Sequence, residues 1–236
     1  MGDSVASGAG LGANKSKICD RSTKAYPYIV AKQLDTSVKQ LACSGAKVDE
    51  GIYDEQDRGQ YTLDPQLDRA FSRGSDPDLI TMTIGANDVR WLNVIRDCYV
   101  WRCGSYLDKT RAVAYRADMR AELYWAMYKI EKNSNGNPPT VLLSGYYNPI
   151  NKVTCDDADR ITNKESAWLS EQVGYLNRSI AYIASKYDFV TYVPIDFSGH
   201  ELCSSNTWVQ GLNDDAPYHP TAQGQKAIAE SFLKAL

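Results

Sequence analysis

Two spacings of apolar residues alternate along the chain. Apolar positions three or four apart predict helices over Ala25 to Leu34, Asp64 to Phe71, Arg111 to Lys132, Ser166 to Lys186 and Thr221 to Leu236. The third carries Val113, Met119, Leu123, Ala126, Met127 and Ile130 on one stripe, and the polar run from Asn133 to Asn137 with Pro138-Pro139 halts it. Leu169, Val173, Leu176, Ile180 and Ile183 form the stripe of the fourth; Ala227, Ile228, Phe232 and Leu233 face inward in the last. Short unbroken apolar runs predict strands over Val38 to Ala42, Leu79 to Ile84, Thr140 to Ser144 and Phe189 to Val193. The second lies between Asp76-Pro77 and Gly85 and reads as buried on both faces. Strands alternating with helices predict an α/β fold with a mainly parallel sheet in a three-layer αβα sandwich. No repeat or linker interrupts the pattern, so residues 1–236 are expected to form a single domain.

Composition narrows the class. With 43% apolar and 23% charged residues the chain reads as a globular protein, and a net charge of -3 argues against nucleic acid or an anionic membrane as a partner. The strongly apolar runs fall far short of the ~20 residues a membrane helix needs, so no stable membrane insertion is expected. A monomer is the working expectation. Six cysteines, Cys19, Cys43, Cys98, Cys103, Cys155 and Cys203, with no Cys-x-x-Cys and only two histidines, favour disulfides over a metal site. Three disulfides point to a secreted protein, although the first residues hold no signal peptide.

Four short patterns follow one another: Gly2-Asp3-Ser4-Val5-Ala6-Ser7-Gly8, Cys43-Ser44-Gly45-Ala46, Gly85-Ala86-Asn87-Asp88 and Tyr218-His219-Pro220-Thr221. Each alone is a common turn or loop; three of them stand at the ends of predicted elements. Gly2-Asp3-Ser4 has no strand before it, so about five apolar residues are expected upstream of Gly2. Met1 is read as an internal methionine of a longer product whose first strand and leader lie outside this chain.

Taken in this order, the four patterns resemble the SGNH hydrolase family, also called GDSL-type esterases and lipases. Ala42-Cys43-Ser44-Gly45-Ala46 and Gly199-His200-Glu201-Leu202-Cys203 resemble its secreted actinobacterial-type branch. The resemblance implies a flavodoxin-like αβα fold, a carboxylic ester or lipid ester as substrate, no cofactor, and disulfides Cys19 to Cys43, Cys98 to Cys103 and Cys155 to Cys203. It implies Ser4 as nucleophile, His219 as its base, and an oxyanion hole built from the backbone N–H of Ser4, the backbone N–H of Gly45 and the side-chain amide of Asn87. A serine hydroxyl needs a neighbouring imidazole to accept its proton, and the oxyanion that develops needs fixed donors. Glycine at 45 is expected to let the backbone approach the substrate without a Cβ in the way.

The third member of the triad departs from the family pattern, because Ala216 stands where an aspartate is common. Either Asp215 reaches His219 through a shifted turn, or a backbone carbonyl near Ala216 orients the ring; the reading leans to the carbonyl. His200 is expected to be structural. Tyr99, Trp101 and Tyr106 are expected either to line an acyl or sugar pocket or simply to pack, and Tyr146-Tyr147-Asn148-Pro149, beyond a strand end, either to border the site or to pack. Asp156, Asp157 and Asp159 lack the spacing of a calcium loop, so no metal is expected. The rival readings are a carbohydrate deacetylase using the same residues and a binding module that has lost turnover.

Overall fold

A computed structural model describes residues 1–72, 76–151, 155–158 and 160–236, with the backbone alone for Asn14, Lys15 and Asp157. Asp159 and the Asp157 side chain, raised above in connection with calcium, lie outside the described residues. In chain order the elements are α1 (Ser4–Ser7), an antiparallel ribbon of β1 (Asn14–Ser16) and β2 (Arg21–Ser22), α2 (Tyr26–Gln33), a second ribbon of β3 (Gln56–Asp57) and β4 (Thr62–Leu63), and α3 (Gln66–Ala70). Then come β5 (Leu79–Thr83), α4 (Trp91–Val100), α5 (Tyr106–Asn133), β6 (Thr140–Ser144), α6 (Asn163–Ala184), β7 (Val190–Val193) and α7 (Ala222–Lys234).

The buried apolar runs form the central sheet. Strands β5, β6 and β7 pair in parallel, with Leu79 opposite Thr140 and Val141 opposite Val190. Residues 1–3 lie along the free edge of β5: the Met1 ammonium donates to the Thr81 carbonyl (2.8 Å) and the Asp3 N–H to the Thr83 carbonyl (3.0 Å). Only glycine fits at position 2, since a Cβ there would stand 2.2 Å from the Thr83 carbonyl oxygen. On one side α2 and α7 pack together, with Tyr26 stacked on Phe232 at 4.6 Å. Helices α5 and α6 pack together as the other layer, burying Met119, Leu123, Met127 and Ile130 from one and Leu169, Leu176 and Ile180 from the other.

Most predicted elements are present, with shifted ends. Capping boxes set two of the shifts: Ser105 with Asp108 starts α5 five residues early, and Thr162 with Glu165 starts α6 three residues early. Val38 to Ala42 is a correction. No strand ladder forms there; Cys43 alone donates a backbone hydrogen bond, to Gly2. The Gln40 side chain takes the place of a pairing strand, donating to the Ala6 carbonyl and accepting from the Ala42 N–H. Helix α4 was not expected, because Asn93, Arg96 and Asp97 interrupt its apolar spacing. The three disulfides join Cys19 to Cys43, Cys98 to Cys103 and Cys155 to Cys203, the pairing the resemblance implies.

Candidate active site

Ser4 is the first residue of a four-residue helix that follows the stub beside β5. The Asp3 side chain caps this helix, accepting from the Val5 N–H (2.9 Å), and Gly8 ends it in the left-handed conformation. Such a turn holds the Ser4 side chain at the carboxyl end of the sheet, where α/β folds present reactive groups. The turn's buried backbone is satisfied by side-chain amides rather than by a sheet. Gln66 accepts from the Gly2 N–H (2.7 Å) and donates to the Gly2 carbonyl (2.9 Å). Gln225, in α7, donates to the Val5 carbonyl (2.9 Å).

His219 meets Ser4 across 215 positions of sequence: its Nε2 lies 2.7 Å from Ser4 Oγ. The other ring nitrogen, Nδ1, lies 3.1 Å from the Pro217 carbonyl oxygen. A carbonyl only accepts, so Nδ1 carries the hydrogen and Nε2 is left with a lone pair facing the serine hydroxyl. That is the tautomer a general base requires. Burial holds the imidazole below its ordinary pKa, partly offset by the Pro217 and Ala216 carbonyls and by the charge of Asp20.

The orienting group is a backbone carbonyl next to Ala216, the alternative to which the sequence leans, but not the carbonyl of Ala216 itself. Asp215 is exposed and makes no hydrogen bond to His219, and the acceptor on the ring is the carbonyl of Pro217 rather than that of Ala216. The turn itself explains this. Tyr218 has φ +67°, which folds the main chain back so that the carbonyl two residues before the histidine faces the ring. The Ala216 carbonyl is occupied by the His219 N–H (3.2 Å). Two neighbours lock the turn: Tyr147 donates its hydroxyl to the Tyr218 carbonyl (2.7 Å), and Gln210 donates its side-chain amide to both Pro220 and Ala9 carbonyls (3.0 Å each).

Ser4, Asn87 and His219 line one cavity of about 40 Å³, together with Ala86, Trp91, Leu92, Tyr146, Tyr147, Val173, Leu176 and Tyr218. Asn87 donates one amide hydrogen to the Ala46 carbonyl (2.8 Å), which fixes the group and leaves its second hydrogen available. Gly45 lies outside the cavity lining, in the turn next to Ala46. Its φ of +82° is the reason for glycine; the place of its missing Cβ faces Arg58 and Gln56, not the cavity. Among the described residues, the Ser4 and Gly45 N–H groups donate to no protein acceptor.

Sequence reasoning missed the roles of Asp3 and Asp88 and the bridge that Tyr146 makes between two loops of the site. Asp3 is fully buried, and burial pushes its carboxyl up to about 7. Tyr146 donates its hydroxyl to Asp3 (2.5 Å) and accepts from the Ala86 N–H (3.0 Å), tying the Ser4 turn to the Asn87 loop. Asp88, held up to about 6 mainly by burial, accepts from the Val48 N–H (3.0 Å) and so fastens the same loop to the segment after Gly45. Of the two readings left open for the segment after β6, the structure supports the first: Tyr146, Tyr147 and Pro149 border the cavity. Trp101 and Tyr106 do not line it; they are exposed, while Tyr99 packs at 6.2 Å from Tyr218. His200 is stacked on Trp208 at 3.7 Å, with Nδ1 2.8 Å from the Asn206 carbonyl oxygen.

A parallel sheet that presents a serine hydroxyl 2.7 Å from an imidazole nitrogen at its carboxyl end has the layout of an α/β hydrolase. The chain matches the GDSL-like lipase/acylhydrolase family over residues 1–227 and belongs to it. It is an enzyme that hydrolyses ester bonds. It is 30% identical over 234 residues to a lipase of Streptomyces rimosus, a match covering 95% of this chain and 81% of that protein. The crystal structure of the extracellular lipase of Streptomyces rimosus aligns with a TM-score of 0.78 at 27% identity, over 100% of this chain and 97% of that one. The phospholipase A1 of Streptomyces albidoflavus NA297 shares the fold, with a TM-score of 0.76 at 24% identity over the same shares of the two chains.

Proposed function

We propose that this enzyme cleaves carboxylic esters of fatty or shorter acyl groups through an acyl-serine intermediate on Ser4. The single observation that carries the reading is the 2.7 Å separation of Ser4 Oγ from a His219 Nε2 whose tautomer is set by Pro217. Ser4 Oγ bonds to the acyl carbon as its proton passes to Nε2. The oxyanion formed is held by the N–H groups of Ser4 and Gly45 and by the free hydrogen of the Asn87 amide. Collapse of the intermediate breaks the bond to the alcohol oxygen, which takes the proton from the imidazolium. Water then attacks the acyl carbon as it gives a proton to the same nitrogen, and the bond to Ser4 Oγ breaks as Oγ takes that proton back, which releases the acid and restores Ser4 and the neutral imidazole.

Three disulfides and the extracellular lipase of Streptomyces rimosus support a further proposal, that the enzyme works outside the cell. The apolar walls supplied by Trp91, Leu92, Val173 and Leu176 favour an acyl chain over a sugar. Hydrolysis of p-nitrophenyl acetate, butyrate and palmitate tests the reading. Turnover is expected to fall by about 10³-fold or more in Ser4→Ala, and a phosphonate ester is expected to label Ser4 with one equivalent. Turnover unchanged in Ser4→Ala rejects the mechanism, and activity confined to acetylated sugars favours a deacetylase.

A further inference from the structure

Helices α5 and α6 turn a second set of side chains outward. Arg116 and Arg120 of α5 and Tyr175, Arg178, Ser179 and Tyr182 of α6 line one groove of about 510 Å³. No residue of this groove lines the Ser4 cavity, whose walls take Val173 and Leu176 from the other side of the same α6. Ring contacts join the groove's cations into one surface. Arg116 and Arg178 lie over the Tyr175 ring, at 4.8 and 4.5 Å from its centre, and Arg120 and Lys186 lie over the Tyr182 ring, at 4.6 and 4.4 Å. A guanidinium over a ring is held in place while its N–H edges stay open to acceptors. Arg116 uses one of them, donating Nη1 to the Gln172 side-chain oxygen (2.7 Å).

Gathering these cations costs the chain stability when nothing is bound. Three arginines and no acidic residue line the groove, in a chain whose net charge is -3. Among the described residues no carboxylate forms an ion pair with Arg116, Arg120, Arg178 or Lys186. Glu171 accepts instead from the Tyr175 hydroxyl (3.1 Å). Arg116 and Arg120 are a like-charge pair one turn apart on α5, an arrangement that destabilises a helix. Burial lowers the pKa of the Arg116 guanidinium, and the charge of Arg178 adds to the effect. A bound anion would offset all of these terms at once.

We propose that this groove binds a polyphosphate anion, two or more linked phosphate groups, through the guanidinium forks of Arg116, Arg120 and Arg178 with Lys186 beside them. A fork pairs with two oxygens of one phosphate. Each linked phosphate sets further charge close to the last, which suits cations one helical turn, about 5–6 Å, apart. Acidic polysaccharides and single-stranded nucleic acids are the other polyanions such a groove can meet. Both gain from stacking a sugar or a base on an aromatic face, and here each ring is already overlain by two cations. Charge alone is left to do the recognition, and that favours the denser anion.

Titration calorimetry of the whole chain with tripolyphosphate, at an ionic strength held constant with sodium chloride, is expected to show one site per chain. Inorganic phosphate and citrate are expected to bind more weakly. Arg120→Gln with Arg178→Gln is expected to weaken tripolyphosphate by at least about tenfold, with Arg116→Gln and Lys186→Gln as an independent pair. Both pairs are expected to keep kcat/KM on p-nitrophenyl acetate within about twofold, which also shows that they fold. Since each pair removes like charges, its urea midpoint without ligand is expected to hold or rise, whereas tripolyphosphate raises the midpoint of the parent alone. A parent that gives neither heat nor a raised midpoint overturns the proposal, as do variants that bind as well as the parent. Citrate binding as tightly as tripolyphosphate overturns it too, and so does tighter binding of polygalacturonate or single-stranded DNA through the same arginines.

Discussion

At the scale of single residues, the His219 ring is oriented by a main-chain carbonyl and the turn that carries Ser4 is held by buried amides. Because Pro217 holds His219 Nδ1 and Asp215 is exposed, Asp215→Ala is expected to leave kcat within about threefold of wild type; a loss near the 10⁴-fold cost of removing a triad carboxylate would reinstate Asp215. Tyr146 bridges Asp3 and the Ala86 N–H. Tyr146→Phe strips a donor from a buried carboxyl and an acceptor from a buried N–H, each worth about 1–3 kcal/mol when left unmet. Its kcat is expected to fall about tenfold or more with KM little changed, since the change loosens Ser4 against Asn87 rather than the binding walls. A KM effect alone, with kcat intact, would reduce Tyr146 to a wall residue. Gln40, Gln66, Gln210 and Gln225 all donate to the backbone of residues 2–9. Nothing in the sequence marks these glutamines, because a buried amide looks like a surface one until the fold surrounds it.

At the scale of elements, what was legible was what periodicity encodes. Strands β5, β6 and β7 are unbroken apolar runs, and α5 and α6 carry long stripes, so each announces itself locally. Helix α4 and the segment from Val38 to Ala42 do not, since the first is interrupted by Asn93, Arg96 and Asp97 and the second trades a strand ladder for Gln40. Residues that line the cavity were readable where a motif carried them, as with Ser4, Asn87 and His219; Pro217 was hidden because its contact with the ring arises from the positive φ of Tyr218. The Cys19–Cys43 disulfide bears on the site through the turn holding Gly45, where the Ser44 N–H also donates to the Cys19 carbonyl (3.1 Å). With a separation of 24 residues, replacing both cysteines by alanine is expected to cost about 3–4 kcal/mol, against about 2 kcal/mol for the Cys98–Cys103 pair. The first pair is also expected to lower kcat, and the second to spare it on soluble esters. Urea midpoints and p-nitrophenyl acetate kinetics check both, and equal effects of the two pairs would contradict the assignment of Gly45.

At the scale of the whole molecule, the site places groups with opposed responses to pH in one buried region. Burial lowers the pKa of His219, so the imidazole stays neutral and able to accept a proton below the usual histidine range. The acid limb of kcat/KM is therefore expected to have its midpoint below pH 6.5, and a midpoint above that value would contradict the burial of the base. Asp3 behaves in the other sense. Its carboxyl is pushed up from 3.8 to about 7, so between those values the folded state keeps a proton that the unfolded chain has released. The group's contribution is thus fully present below about pH 4 and is lost as pH rises through about 7, a change on the order of 4 kcal/mol. His219 acts oppositely, taking up its proton more readily when unfolded, so the stability curve of the wild type alone does not isolate Asp3. Asp3→Asn does, because the amide oxygen can still accept from Val5 and the amide nitrogen can donate to the Tyr146 hydroxyl, while the group cannot ionise. The stability of wild type relative to Asp3→Asn, measured by urea unfolding, is expected to decline steadily from pH 4 to pH 8. A difference that stays flat across that range would mean that the carboxyl beside Ser4 is ionised throughout, and that the turn holding Ser4 is wetter than its burial indicates.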